Sequence, residues 1–294
     1  MPSTESLQTP TSTPPIADWI VAYYDQTWID FRMFWVNRNN LALHYGYHDT
    51  ATRGHADALV RLNQVLADNI ALRPGERALD AGCGVGGSSM WLAAHRGAAV
   101  VGITLSEQQV VHARRLATAR GLSDRVRFEQ ADYTHTPFPD GSFDVVWAIE
   151  SVCHAPDKPA FYREAARLLR PGGRLVTADF VRAQRPLDAV GERLLHEWLD
   201  GWAIPDLDTG EERLHAAVAA GLADARLDDV TAHIRPSAQR LYTMGRWLYP
   251  GAATLHRLGT RTAIQHGNVR AALRQYQALE HGGWWYGILA AAKP

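Results

Sequence analysis

One acid set among glycines, Asp80-Ala-Gly82-Cys-Gly84-Val-Gly86-Gly87, separates an apolar run from a helix-forming one. Glycines there let the backbone turn tightly and let a ligand come close, and the helix that follows offers N–H groups with no partner in the helix. Gly82, Gly84 and Gly87 also satisfy the dinucleotide pattern G-x-G-x-x-G, so the loop alone does not separate a nicotinamide or flavin enzyme from other nucleoside-binding enzymes. Two details weigh against a dinucleotide. Asp80 would meet a pyrophosphate unfavourably and suits a ligand that brings an ammonium and a sulfonium. The next apolar run ends Gly102-Ile103-Thr104-Leu105-Ser106, with no acid to hold a ribose about 20 residues on.

Three more titratable residues stand at or just past the ends of later apolar runs. Asp132, in Ala131-Asp132-Tyr133, can accept from an adenine amino group, or can cap a turn. Glu150 ends Ala148-Ile149-Glu150, where it can stabilise a cation, remove a proton, or brace the loop. His154 follows four residues later; it is a candidate general base or a structural hydrogen-bonding group.

These residues need elements to hold them at one edge. Short apolar strands at RALDAG, AAVVGITL, VRFEQAD, FDVVWAIE and RLVTADF alternate with helices over about 88–97, 106–120 and 158–169. That alternation predicts a parallel sheet with right-handed crossovers, whose ligands sit at the carboxyl ends of the strands. Asp80, Thr104, Asp132 and Glu150 all fall there. Turns are expected at Pro139-Asp140-Gly141 and at Pro171-Gly172-Gly173. Before the alternation lie aromatics at helical spacing from Trp19 to Trp35, including Tyr23 and Tyr24, then HYGYHD and a helix over about 53–70. After it come helices over 184–220, a sixth strand at ARLDDVTAHI, helices over 237–281 and a closing strand at WWYGILAAAK.

Composition removes several function classes. Lys and Arg number 30 against 31 Asp and Glu, without blocks of one sign, so no electrostatic footprint for nucleic acid is present. No apolar run reaches the roughly 18 residues that span a bilayer, and no signal peptide is readable. Cys83 and Cys153 set neither a disulfide framework nor a metal-ligand spacing, which points to a cytoplasmic protein without a metal. The ten tryptophans concentrate outside the central segment, either as packing or as walls of an aromatic pocket.

The runs LDAGCGVGGSSMWLA, GITLSEQQ, PFPDGSFDVVWAIESVCHAPDK and LLRPGGRLVTADF resemble the class I S-adenosylmethionine-dependent methyltransferases. Within them the chain resembles the branch of sterol, tocopherol, prenyl diphosphate and natural-product enzymes, over roughly residues 44–182. The resemblance implies an α/β, Rossmann-like fold with a seven-stranded, mostly parallel sheet, an antiparallel last strand and a helical lid. With the Ser-, Thr- and Pro-rich start and the order of elements, the chain divides into a disordered tail (1–15), N-terminal aromatic helices as lid (16–70), a cofactor-binding core (71–183), and substrate-lid helices with closing strands of the same domain (184–294).

The resemblance also implies S-adenosylmethionine as cofactor, with S-adenosylhomocysteine as product. Asp80, Gly82 and Gly84 would hold the methionine part, Thr104 and Gln109 the ribose, and Asp132 with Tyr133 the adenine. An acid like Glu150 faces the substrate in that branch, which makes Glu150 and His154, with Tyr23 and Tyr24, the catalytic candidates. His44, Tyr45, Trp198, Trp202 and Trp247 are the candidates for substrate contact.

Few cations stand near the expected mouth: Arg32 and Arg38 early, and Arg235, Arg240, Arg246, Arg257 and Arg261 on late helices. The expected substrate is therefore a small apolar or aromatic molecule, indole-like or prenylated, methylated at an electron-rich carbon by a monomer or homodimer. O- or N-methylation on a similar scaffold, a prenyl diphosphate substrate and, less favoured, a nicotinamide-dependent oxidation are the alternatives.

Overall fold

Alternating buried apolar strands and amphipathic helices assemble as the pattern requires. The computed structural model describes residues 16–35 and 41–294; the expected tail and Arg38 lie outside them. In chain order the elements are α1 (Ile16–Phe34), α2 (His55–Asn69), β1 (Arg77–Ala81), α3 (Gly87–Arg96), β2 (Ala99–Thr104), α4 (Glu107–Ala119), β3 (Val126–Gln130) and β4 (Phe143–Ile149). A single 3-10 turn (Val152–His154) leads to α5 (Lys158–Leu168), β5 (Leu169–Arg182), α6 (Ala189–Gly201), α7 (Gly210–Ala219) and β6 (Ala223–Asp229). The chain closes with α8 (Thr231–Arg257), α9 (Ala263–Glu280) and β7 (Trp284–Ala292).

The seven strands run in the order β3-β2-β1-β4-β5-β7-β6. β1 to β5 are parallel, and β7 inserts antiparallel between β5 and β6. The direction of winding reverses between β1 and β4, so the crevice for a ligand opens above the carboxyl ends of those two strands. α5 and α7 cover one face of the sheet, while α2, α3 and α4 cover the other together with α6 and α9. α1, α8 and α9 reach over the crevice itself and line it.

Two local expectations are corrected. Pro171-Gly172-Gly173 does not end in a free turn but lies inside β5, which starts at Leu169. Gly172 N–H donates to the Lys293 carbonyl and Lys293 N–H to the Gly173 carbonyl, so the end of the chain extends the ladder through the turn residues. The sixth strand stops at Asp229 rather than at Ile234. The Asp229 carboxylate accepts from both the Thr231 N–H (2.8 Å) and the Thr231 hydroxyl, which turns the chain into α8.

The tryptophans divide between core and surface. Trp147, Trp198 and Trp284 are fully buried. Trp198 lies 4.9 Å from Trp284 and edge-on to Phe180 at 5.1 Å, behind the crevice wall rather than in it. Trp247 points the other way and is 83% exposed. Trp198→Ala should therefore lower the free energy of unfolding by about 3–5 kcal/mol. Trp247→Ala should change it by no more than about 0.5 kcal/mol. Urea denaturation of both variants tests this, and equal losses would contradict the packing described.

Candidate active site

The crevice is a cavity of about 410 Å³. Asp80, Gly82, Gly84, Thr104, Gln109 and Tyr133 line one part of it, and Glu150, His154, Tyr23, Tyr24, His44, Tyr45 and Trp202 line the rest. Three residues singled out in the sequence stay outside. Trp198 is sealed in the core because α6 turns Leu195, Trp198 and Leu199 inward together. Trp247 faces solvent because it stands one residue, about 100° of helix, away from Leu248 on the cavity side of α8. Asp132 is exposed beside the cavity, and its Oδ1 accepts from the Thr134 N–H (2.8 Å) and hydroxyl (2.7 Å).

The glycine loop is built for close approach. Gly82 has φ +87°, and a Cβ there would lie 2.3 Å from the Ser151 Cβ, so the loop and the end of β4 can pack only with glycine. Ser151 Oγ donates to the Ala81 carbonyl at 2.6 Å, and Tyr133 Oη donates to the Ser151 carbonyl at 2.7 Å. These bonds lace the ends of β1, β3 and β4 together. On the β2 side, the Thr104 hydroxyl donates to Gln109 Oε1 (2.6 Å) and the Ser106 hydroxyl to Asp25 of α1 (2.7 Å).

Asp80 is buried, with a 2.5 Å hydrogen bond from Ser89 Oγ, and burial pushes its carboxyl up to about 6. α3 starts at Gly87 without a side-chain cap, so its first N–H groups remain for a ligand. A buried acid beside uncapped N–H groups and a glycine cradle suits a ligand with both an ammonium and a carboxylate. The donor set therefore fits the amino-acid end of S-adenosylmethionine and opposes a pyrophosphate.

Glu150 joins three distant segments. Its Oε1 accepts from the Tyr45 N–H at 2.7 Å and from Tyr286 Oη at 2.8 Å. Its backbone sits in the left-handed region at φ +47°, a strained setting for a residue with a side chain. Removal from water pushes the carboxyl up to about 8, against the pull of those two donors.

His154 is held at both ring nitrogens. Nδ1 lies 3.0 Å from the Ala203 carbonyl, which can only accept, so Nδ1 carries a proton. Nε2 lies 2.9 Å from Tyr24 Oη. Burial holds the imidazole below its ordinary pKa and the Tyr24 phenol well above its own. The stable arrangement at neutral pH is thus a neutral ring whose Nε2 accepts from the phenol.

Several wall residues had not been singled out. Phe180 comes from β5, and no local spacing marks it; Tyr286 of β7 is not on the wall itself but holds Glu150, which is. Leu241, Met244, Leu248, Ala252 and Leu255 form one stripe of α8, and their spacing of three and four residues is a readable signal. Asp30, Asn268 and Arg261 add a polar cluster.

Because burial raises Asp80, a cation-binding carboxylate there is ionised above pH 6 and lost below it. Affinity for S-adenosylhomocysteine should weaken by up to about tenfold per pH unit below 6. Asp80→Asn should bind about 10- to 100-fold more weakly and without that pH dependence. Calorimetric titration at pH 5 and pH 7 measures both; equal wild-type affinities would contradict the assignment.

Comparison with known proteins points the same way. Residues 79–177 match the family model of a methyltransferase domain. The chain is 42% identical over 197 residues to the 27-O-demethylrifamycin SV methyltransferase of Amycolatopsis mediterranei, covering 66% of this chain and 71% of that one. Over 116 residues it is 46% identical to the sterol 24-C-methyltransferase ERG6B of Gibberella zeae, 40% of this chain and 30% of that one. The crystal structure of the [4+2]-cyclase SpnF superposes with a TM-score of 0.78 at 29% identity, covering 95% and 97% of the two chains. The chain belongs to the class I S-adenosylmethionine-dependent methyltransferases, in the branch that holds the sterol, tocopherol and natural-product enzymes.

Proposed function

We propose that this methyltransferase acts on a hydroxyl oxygen of a bulky, largely apolar natural product, with Tyr24 and His154 as its proton acceptor. The observation that carries this reading is the Tyr24–His154–Ala203 chain at the cavity wall. S-adenosylmethionine, when bound, supplies a methyl carbon on a sulfonium that a nucleophile displaces in line. Asp80, Gly82, Gly84 and the first turn of α3 would hold its amino-acid end, Thr104 and Gln109 its ribose, and Tyr133 with Asp132 its adenine.

The residues then divide the remaining tasks. Tyr24 cannot act as a phenolate, since burial holds its proton well above pH 10. It acts as a relay: its oxygen takes the proton of the acceptor hydroxyl while its own proton passes to Nε2 of neutral His154. Positive charge develops on the imidazole, which the Ala203 carbonyl steadies through Nδ1–H. α1, α8 and α9 serve as a lid that keeps water out, and Trp202, Phe180 and the apolar stripe of α8 hold the body of the substrate. The relative named for 27-O-demethylrifamycin SV supports an oxygen acceptor on a natural product. In this reading the prenyl diphosphate alternative is set aside, because Arg261 is the only Arg or Lys on the described cavity wall and it is already paired with Asp30.

A second reading, transfer to an electron-rich carbon, is favoured by the strained, substrate-side Glu150. There Glu150 would have to be ionised to stabilise the carbocation, yet near pH 7 only about one in ten such groups is, given a pKa of about 8. The two readings differ in pH dependence. With His154 as base, kcat should rise with pH through an ionisation below 6.5 and be flat above it; with an ionised Glu150, the rise should centre near 8. Tyr24→Phe and His154→Gln should each lower kcat by about 100- to 10,000-fold with little change in KM for S-adenosylmethionine. Steady-state kinetics from pH 5 to 9 decides, and near-normal turnover by Tyr24→Phe would sink the oxygen reading.

A further inference from the structure

The polar cluster between α1 and α9 has no task in methyl transfer. Arg261, in the turn between α8 and α9, lines the cavity. Its Nη2 donates to the Asp30 carboxylate and, at 2.9 Å, to the Gln265 carbonyl. Among the described residues, its Nε is buried without an acceptor. Asn268 Nδ2 lies 3.3 Å from the same Asp30 oxygen, and Tyr23 Oη donates to Asn268 Oδ1 at 2.9 Å. Tyr23 in turn packs edge-on to Tyr24, with ring centroids 5.1 Å apart. A chain of polar contacts therefore runs from Arg261 to Tyr23, which packs against the proposed proton relay beside the apolar stripe of α8.

Asp30 and the Gln265 carbonyl engage Nη2 and Nε is sealed from the cavity, which leaves Nη1 as the N–H that this cavity-lining arginine can offer to an oxygen of whatever fills the chamber. The charge balance says which kind. Arg261 is already neutralised by Asp30, and the other acidic residues on that wall are Asp80, largely ionised at neutral pH, and Glu150, largely protonated there. A carboxylate or phosphate would have to compete with Asp30 and would meet two more acids. A ketone, ester or hydroxyl oxygen needs no counter-charge.

We propose that Arg261, held by Asp30, is the specificity-determining group that receives a neutral carbonyl or hydroxyl oxygen of the substrate, remote from the atom that is methylated. This rests on the reading of transfer to a hydroxyl given above. The test uses lipophilic secondary alcohols on several skeletons, each in three forms that carry a ketone, a methylene or a carboxylate remote from the hydroxyl. Radiolabelled methyl transfer reads turnover, and calorimetry with S-adenosylhomocysteine checks the cofactor site separately. The wild type should favour the ketone over the methylene form by about tenfold or more in kcat/KM. Arg261→Leu should erase that preference mainly through KM, and Arg261→Lys should restore part of it. Asp30→Asn, which keeps the arginine and removes its counter-charge, should raise turnover of the carboxylate form relative to the ketone. If the variants slow all three forms alike, the pair only braces α1 against α9 and the proposal is overturned. If the wild type binds S-adenosylhomocysteine but methylates none of the alcohols, the hydroxyl reading falls and this proposal with it.

Discussion

The proposed proton relay depends on one buried imidazole pinned at both nitrogens. His154 follows β4, Tyr24 belongs to α1, and Ala203 follows α6, so the two hydrogen bonds of a single ring tie three separate segments around the cavity. The turn that carries His154 is fixed in its own right. Asp179 of β5 accepts from the Cys153 N–H at 2.9 Å, and the glycine loop is locked against Ser151. A ring held in this way has a fixed tautomer, and a fixed tautomer gives its phenol partner a direction for the proton. Without Tyr24 in place the imidazole would present a bare acceptor under an open roof, so the position of α1 and the chemistry of His154 are one constraint.

Under the proposed function, electrostatics would select both molecules that enter. Burial raises two of the cavity's acids, Asp80 to about 6 and Glu150 to about 8. These two groups answer differently because their values straddle neutrality. Asp80 is largely ionised at pH 7 and suited to a cation, whereas Glu150 is largely protonated and acts as a structural joint among β4, the segment at Tyr45, and β7. The third acid, Asp30, is matched by Arg261. What remains is a chamber attractive to a cationic nucleoside at one end and to an apolar body with a few neutral oxygens at the other.

The core was legible because its signals are local. The run from Asp80 to Gly87, the end of β2 at Thr104 and the end of β4 at Glu150 each show their strand or loop within a few residues, and the sheet brings such ends together by topology alone. The substrate side was less legible because its contacts are not local. Nothing near Tyr286 in the sequence says that its hydroxyl reaches Glu150, 136 residues away. Arg261 reads as an ordinary helical surface cation until Asp30, 231 positions earlier, is seen beside it. Trp247 shows a different limit: aromatic content does not place a residue on a helix face, helical phase does. The stripe through Leu241, Met244, Leu248 and Leu255 fixes which face of α8 turns inward, and Trp247 is off it.

The proposed proton path requires a neutral His154 that is protonated at Nδ1 and accepts from Tyr24 at Nε2. Nitrogen NMR of the histidine-labelled protein, with His154→Gln to assign the signal, tests that directly. At pH 7 the ring should show a protonated Nδ1 and a hydrogen-bonded, unprotonated Nε2, and Tyr24→Phe should shift the Nε2 signal alone. An imidazolium at pH 7, or a neutral ring with its proton on Nε2, would contradict the proposed path of the proton.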